Sequence, residues 1–227
     1  MKKRFFVTGT DTDAGKTFIS VLMLEALRQR GLSTLALKPL AAGCDMMEGE
    51  LRNDDALKLR EAMTVELSYQ QVNPIALKSA IAPHIAAEEE GRALSVDRLA
   101  GLIRGAMMTP ADVTLVEGAG GWLVPLNSRE TLANLVKELE IPVILVVGVR
   151  LGCLNHALLT AKAVAAAGLP MVGWVANCID PEAARVPENI QTLKNMLPVP
   201  CLGIIPYAPD APLQELAQRI DIDSLLS

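Results

Sequence analysis

The sequence predicts an α/β fold in which a mainly parallel sheet is covered by helices on both faces. Apolar strand-like segments alternate with helix-like segments along the 227 residues, which is the order typical of parallel sheets. The run at 142–149 contains no polar side chain, as expected for a strand buried on both faces. No Gly/Ser-rich linker, repeat or low-complexity tract interrupts the pattern, so we expect one domain over 1–227.

The predicted elements follow one another from the N-terminus. Strands are predicted at 4–8, 34–38, 111–117, 142–149, 171–177 and 201–206. Helices are predicted at 16–30, 53–62, 95–107, 155–167, 182–197 and 213–220.

The helix boundaries carry recognisable signals. Gly31 stops the first helix. Asn53 or Asp54 is the expected N-cap of the second helix, Ser95 that of the third and Asn155 that of the fourth.

Two segments and one proline depart from the regular pattern. Pro187 is expected to disturb the fifth helix, since proline fits poorly inside a helix. The least regular segments are 41–50 and 68–83. We expect them near the carboxyl ends of the strands, where ligands bind in such sheets.

The composition excludes several classes of function. Lys and Arg number 21 against 26 Asp and Glu, which gives a formal net charge of −5 and argues against a general nucleic-acid binder. The sequence has no run of about 20 apolar residues that could cross a membrane, and we expect no secretory signal. With only two histidines, the scattered cysteines indicate reduced thiols in a cytoplasm rather than a zinc site. These cysteines are Cys44, Cys153, Cys178 and Cys201.

The strongest motif is GTDTDAGKT at residues 9–17, between a predicted strand and a predicted helix. Successive backbone N–H groups in such a loop can wrap a phosphate, and the helix N-terminus adds its positive end. Gly15 permits close approach, Lys16 would reach the β- and γ-phosphates, and Thr17 would bind Mg²⁺. The standard phosphate-binding motif has four residues between its two glycines, whereas five separate Gly9 from Gly15. The closing Gly-Lys-Thr and the position between a strand and a helix still predict a P-loop NTPase-like fold. The alternative is a simple turn before an amphipathic helix.

Charged and polar residues end the neighbouring strands. Glu117 precedes a glycine-rich loop and is a candidate second metal ligand. Lys38 ends another buried strand and is a candidate contact for a phosphate or a transition state, or else extends to the sheet edge. Asp55 opens a helix, where capping is the commoner role. Asn177 suits either an adenine edge or a turn.

Further motifs accompany the phosphate loop in order along the chain. They are KP at 38–39, LRNDDAL at 51–57, VNP at 72–74, VEGAGGW at 116–122, PVILVVGV at 142–149, LGCLNHA at 151–157 and GWVAN at 173–177. With these motifs the chain resembles the dethiobiotin synthetase family nearly end to end, and the longer phosphate loop is usual in that family.

The resemblance implies an ATP-dependent, C–N bond-forming ligase of biotin biosynthesis. Its substrates would be 7,8-diaminononanoate, CO₂ and MgATP, and its products dethiobiotin, ADP and phosphate, formed through a carbamate and a carbamic-phosphoric anhydride. The protein would be a cytoplasmic homodimer with no nucleic-acid or membrane partner, and its substrate site would lie at the interface.

The resemblance also implies roles for individual residues. The Mg²⁺ ligands would be Thr17, Asp55 and Glu117, and the catalytic lysines Lys16 and Lys38. The nucleotide would contact Asp13, Ala14, Gly15, Lys16, Thr17, Phe18, Asp55, Glu117, Gly118, Ala119, Gly120, Asn177, Pro206 and Tyr207. The substrate would contact Thr12, Ala42 and Gly121, together with Cys153, Leu154 and Asn155 contributed across the dimer.

Two alternatives stay open at this point. Partition and septum-positioning ATPases share the predicted fold, but they carry a signature lysine where Asp11 stands. A different amide- or urea-forming ligase is the second alternative, because Ala42 stands where the family usually has Ser or Thr.

Overall fold

The computed structural model describes residues 2–226, and these form ten strands and ten helices. The strands are β1 (Lys3–Gly9), β2 (Thr34–Leu37), β3 (Leu40–Ala41), β4 (Asp45–Met47), β5 (Glu50–Arg52), β6 (Ile75–Ala76), β7 (Val113–Glu117), β8 (Val143–Gly148), β9 (Met171–Asn177) and β10 (Cys201–Ile205). The helices are α1 (Lys16–Gln29), α2 (Asp54–Ala62), α3 (Tyr69–Val72), α4 (Pro83–Glu89), α5 (Val96–Ala106), α6 (Leu132–Leu139), α7 (Cys153–Ala166), α8 (Val186–Met196), α9 (Leu213–Ala217) and α10 (Asp223–Leu226).

The six predicted strands form one sheet in the order β10-β9-β8-β1-β7-β2, and every neighbouring pair is parallel. The chain first builds β2 and β7 on one side of β1 and then β8, β9 and β10 on the other. The strand order therefore reverses at β1, and a crevice opens beside the carboxyl end of that strand. The predicted fold class is confirmed.

Helices cover both faces because alternate side chains of each inner strand point in opposite directions. Along β8, Ile144 and Val146 join the larger apolar cluster, whereas Leu145 and Val147 join a second cluster. The second cluster includes Trp174 of β9 together with residues of α7 and α8. The sheet is thus buried on both sides, as the continuous apolar run predicts.

Several boundary predictions are confirmed and two are wrong. Asn53 and Ser95 cap α2 and α5 through their side chains, as predicted. Asn155 does not cap the fourth predicted helix, because α7 already begins at Cys153 and leaves Asn155 in its first turn. Pro187 does not disturb a helix interior, because α8 begins only at Val186. Proline is tolerated in the first turn, where its missing N–H has no intrahelical partner to bond.

The segments predicted to be irregular contain short elements instead. β3 pairs with β6 in parallel, and β4 and β5 form an antiparallel hairpin. Helix α6 was not predicted at all, although Thr131 and Asn134 form a reciprocal cap at its start. Among the helices of residues 2–226, none combines the length and the apolar character needed to cross a membrane.

Candidate functional site

The loop of residues 9–17 connects β1 to α1 and is held from behind by β8 and β9. The Thr10 amide donates to the carbonyl of Val146 at 3.0 Å. The Asn177 side-chain amide donates to the carbonyl of Ala14 at 3.0 Å. Gly15 adopts φ +82°, and a Cβ there would collide with the Asn177 amide. The loop thus needs glycine at this position and presents its other side to solvent.

Lys16 lies folded back into this loop. Its ammonium donates to the carbonyl oxygen of Asp11 at 3.1 Å. Burial lowers the pKa of Lys16 to about 8, and repulsion by the Lys38 ammonium contributes to the decrease. A bound anion would reverse this effect, so the loop contains a cation that is poorly compensated until a phosphate arrives.

The side chain of Asp11 ties the loop to the segment after β8. One carboxylate oxygen accepts from the Thr12 amide at 2.8 Å. The other accepts from the guanidinium of Arg150, also at 2.8 Å. The position where partition ATPases carry a lysine is therefore occupied here by an acid that already has a cationic partner.

A second charged cluster lies beside the loop, at the ends of β2 and β7. The Lys38 ammonium contacts Glu117 at 2.7 Å and Asp55 at 3.1 Å, and it also donates to the Gly118 carbonyl at 3.2 Å. Burial by itself would lower the pKa of Lys38, but the carboxylates of Glu117 and Asp55 outweigh it and raise that pKa above its usual value. The Lys38 ammonium is therefore held in its charged form by these two carboxylates.

Glu117 is satisfied on both of its oxygens. Oε1 accepts from the Thr17 hydroxyl at 2.7 Å as well as from Lys38, and Oε2 accepts from the Ser20 hydroxyl at 2.8 Å. Its side chain is 1% exposed. Ser20 was not singled out from the sequence, although it lies one helical turn beyond Thr17 on α1 and so shares its face.

The loop and the charged cluster border one cleft of about 1170 Å³. Of the residues predicted to form the site, those lining it are Thr12, Asp13, Gly15, Lys16, Thr17, Phe18, Lys38, Ala42, Asp55, Ala119, Gly120 and Gly121. An apolar wall that the sequence did not reveal includes Ile81, Pro83, Leu123, Val124 and Pro125. The cleft thus combines a cationic, phosphate-sized end with an apolar side.

Other predicted site residues do not line this cleft within the chain. Ala14, Glu117 and Gly118 are placed just behind its surface, and a Cβ on Gly118 would lie 2.9 Å from the Phe6 ring. Asn177 supports the loop from behind, as described above. The remaining residues, all outside the lining, are Pro206, Tyr207, Cys153, Leu154 and Asn155. Cys153 is buried in the second apolar cluster, where it packs as an ordinary core residue.

The oxygen atoms of Thr17, Asp55 and Glu117 are suited to a hard divalent cation. Within residues 2–226 no three His, Cys, Asp or Glu side chains gather as a complete metal cage. Mg²⁺ does not require one, because it usually keeps several waters and takes one or two carboxylates together with nucleotide phosphates. The donor set therefore fits a nucleotide-bound Mg²⁺ better than a structural metal.

Comparisons with known proteins place the chain among ATP-dependent enzymes. A protein-family profile described as an AAA domain matches residues 3–212. The ATP-dependent dethiobiotin synthetase BioD of Cellvibrio japonicus is 56% identical over 225 residues, covering 99% of this chain and 98% of that protein. The protein of the same name from Pseudomonas aeruginosa strain UCBPP-PA14 is 52% identical over 221 residues, covering 97% of each.

Solved structures that resemble the chain show its fold. The septum site-determining protein MinD with Mg-ADP from Pyrococcus horikoshii has a TM-score of 0.56 at 16% identity, covering 99% of this chain and 89% of that one. A ParA family ATPase from Chlorobium tepidum has a TM-score of 0.55 at 16% identity, with coverages of 99% and 93%. At these identities the likeness shows a P-loop NTPase-like fold and nothing about substrate.

Proposed function

The chain belongs to the ATP-dependent dethiobiotin synthetase family, and from that premise we propose that it converts 7,8-diaminononanoate, CO₂ and MgATP into dethiobiotin, ADP and phosphate. The family consists of ligases that form C–N bonds in biotin biosynthesis. We propose a cytoplasmic location, with which the four free cysteines agree.

The reaction has three bond-forming steps. One amine of the substrate attacks CO₂, forms a C–N bond and loses a proton, which gives a carbamate. A carbamate oxygen then attacks the γ-phosphorus of ATP while the bond to the ADP oxygen breaks. The second amine attacks the carbonyl carbon of this mixed anhydride and loses a proton, phosphate leaves and the cyclic urea closes. No protein nucleophile is required, since the carbamate is itself the nucleophile.

One observation carries the proposal: two lysines from different elements converge on the end of the cleft formed by the phosphate loop. Lys16 comes from the loop and Lys38 from the end of β2, and both line the same cleft. Negative charge gathers on the carbamate and the γ-phosphate during transfer, so two fixed cations and the backbone amides of the loop stabilise the transition state.

In this proposal Thr17, Asp55 and Glu117 hold the Mg²⁺ of the nucleotide, whose chemistry is to neutralise phosphate charge. Ser20 and Thr17 fix the orientation of the Glu117 carboxylate through their hydroxyl groups. Lys38 already contacts Asp55 and Glu117. These two contacts fix the position of the Lys38 ammonium, which lies beside the transferring group.

The apolar wall of the cleft suits the alkyl chain of the diamine. Leu123 and Ile81 are exposed apolar residues within this wall. Ala42 also lines the cleft, and its methyl group cannot donate the hydrogen bond that a Ser or Thr would give there. We propose that this chain holds the diamine with one hydroxyl contact fewer than is usual in its family.

A homodimer would complete the substrate site. Helix α7 packs Cys153, Ala157 and Val164 fully into its own chain, while Leu159 is 58% exposed and the preceding Leu151 is 99% exposed. Such an apolar surface is typical of a subunit interface. Leu159→Glu is expected to produce monomers in sedimentation and to lower activity. A matched control on another helix, Leu102→Glu of α5, changes an equally apolar exposed residue and should leave the dimer intact. A monomeric wild-type protein would contradict this part of the proposal.

The activity is tested by incubating the purified chain with MgATP, bicarbonate and 7,8-diaminononanoate. We expect ADP and phosphate to appear only when both the diamine and the carbon source are present, and a cyclic urea to be detected by mass spectrometry. Phosphate release that ignores the diamine but responds to DNA or lipid would instead indicate an ATPase switch. Turnover with a different amine would indicate another ligase specificity.

A further inference from the structure

The VNP motif at 72–74 has no role in the site as described so far, yet Asn73 is buried and contacts Lys38. The Lys38 amide donates to the Val72 carbonyl at 2.9 Å. The Asn73 side-chain amide donates to the Lys38 carbonyl at 2.6 Å. Both backbone polar groups of Lys38 are therefore held by this one segment, although the side chain of Lys38 points into the cleft.

Tyr69 extends this contact to the start of helix α2. Its hydroxyl donates to the Asn73 side-chain oxygen at 2.8 Å and accepts from the Asn53 amide at 2.6 Å. Burial raises the pKa of Tyr69, so the hydroxyl keeps the proton that it donates. The guanidinium of Arg52 lies 4.2 Å from the centre of the Tyr69 ring, which holds the ring in place by stacking.

These hydrogen bonds and one ion pair form a closed ring of contacts that begins and ends at Lys38. Asn53 caps α2 by accepting from the Ala56 amide at 3.2 Å, and thereby fixes the first turn of that helix. Asp55 lies in that turn, and its carboxylate contacts the Lys38 ammonium at 3.1 Å. The ring thus sets the position of the Lys38 backbone on one side and of Asp55 on the other.

We propose that Tyr69 and Asn73 are positioning residues, which hold the Lys38 ammonium and the Asp55 carboxylate at their working separation beside the phosphate loop. This inference rests on the proposed function for its catalytic consequence. Neither residue lines the cleft, so they act only through Lys38 and Asp55. The ring needs a hydroxyl that can both donate and accept, which explains why tyrosine rather than phenylalanine stands at position 69.

The test uses Tyr69→Phe, which removes one hydroxyl and keeps the aromatic side chain that stacks on Arg52. Outer-shell contacts of this kind are worth about 10-fold to 100-fold in activity, so we expect kcat to fall by about that factor. The KM for ATP should change less than kcat, because Lys16 and the backbone amides of the phosphate loop are not part of these contacts.

A matched control removes a buried hydroxyl on β2, outside the contacts just described. The Thr34 hydroxyl accepts from the Thr64 amide at 3.0 Å, at the opposite end of the strand from Lys38. Thr34→Val leaves that amide unpaired, just as Tyr69→Phe leaves the Asn53 amide unpaired. Thr34→Val should lower the melting temperature similarly while leaving kcat nearly unchanged. An equal loss of kcat in both variants would overturn the proposal.

A double-mutant cycle with Asp55→Asn separates positioning from general destabilisation. If Tyr69 acts partly through Asp55, the loss of kcat on Tyr69→Phe should be clearly smaller in the Asp55→Asn background than in the wild-type background. Full additivity of the two losses would overturn the proposal. The same cycle measured in the free energy of unfolding needs no substrate. If wild type fails to turn over the diamine, the proposed function falls, and coupling or its absence in unfolding then decides whether the ring links the two residues.

Discussion

The two halves of the central sheet contribute in different ways to the site. From the half formed by β1, β7 and β2, most of the predicted site residues line the cleft, and Glu117 sits directly behind its wall. From the half formed by β8, β9 and β10, none of the predicted residues does so within one chain. Asn177 supports the phosphate loop from behind, and the α7 segment presents apolar surface to solvent. One half therefore supplies the charged groups of the cleft, and the other supplies support for the phosphate loop and an exposed apolar surface, where we propose that a second copy binds.

Lys16 and Lys38, both in the half formed by β1, β7 and β2, differ in how their charges are compensated. Lys38 is compensated by two carboxylates, whereas Lys16 makes its hydrogen bond to a backbone carbonyl. Lys38 therefore stabilises the fold as well as the site, while Lys16 is held at a cost to stability that a bound phosphate would offset.

The largest effect is expected for Lys38→Met. Removing one partner of a buried charged network costs about 3–5 kcal/mol, because Glu117 would keep a buried charge without its cation. Turnover should fall as well, by a factor on the order of 10²–10³. Denaturant unfolding and a turnover assay measure the two losses. A variant as stable as wild type would show that the network does not support the fold.

Lys16→Met should remove turnover by a similar factor, on the order of 10²–10³, but without loss of stability. Its ammonium is disfavoured by burial and by Lys38 in the unliganded chain, so the apolar replacement should leave the melting temperature unchanged or higher. The comparison fails if Lys16→Met and Lys38→Met destabilise the chain equally.

Nucleotide affinity should depend on pH above about 8. The pKa of Lys16 is lowered to about 8 in the unliganded chain, and the negative charge of a bound phosphate raises it. Binding then takes up a proton above that pH, so the Kd for ADP should be flat below pH 8 and rise by up to about tenfold per pH unit above it. Titration calorimetry of wild type and Lys16→Met measures this. The variant should lose the dependence, and an identical slope in both proteins would contradict the assignment.

The smallest effect is expected for Asn177→Ala, in the supporting half of the sheet. It removes the hydrogen bond to Ala14, worth about 1 kcal/mol. The phosphate loop would lose one anchor but keep its charges. ADP affinity should therefore fall several-fold with little change in kcat. Collapse of kcat, with affinity retained, would show that Asn177 acts on the chemistry instead.

Local patterns predicted the fold and the charged half of the site. The apolar strands, the loop of residues 9–17 and the polar residues that end β2 and β7 could all be read directly, because parallel strands bring their carboxyl ends to one edge. Asp55 shows where local sequence patterns fail, because an aspartate at the start of a helix more often caps that helix than binds a ligand. Asn53 takes that role, which leaves the carboxylate of Asp55 to reach Lys38.

The contacts missed from the sequence join distant segments. Ser20 meets Glu117 across 97 positions, and Asn73 reaches Lys38 across 35. No helical or strand period relates such residues, so only the packing of α1, α2 and α3 around the sheet reveals them. The start of α7 was misplaced for a different reason. Gly152 in a left-handed conformation precedes it, and Asn155 gave a stronger capping signal than glycine.

We propose that the γ-phosphoryl group of ATP moves to an oxygen of a CO₂ adduct at the end of the cleft where Lys16 and Lys38 converge. The most direct test supplies ¹⁸O-labelled CO₂ with MgATP and 7,8-diaminononanoate, and measures the label in the released phosphate by mass spectrometry. Transfer to the carbamate predicts one ¹⁸O in each phosphate formed with a cyclic urea. Unlabelled phosphate released alongside the urea, or labelled phosphate that does not require the diamine, would contradict it.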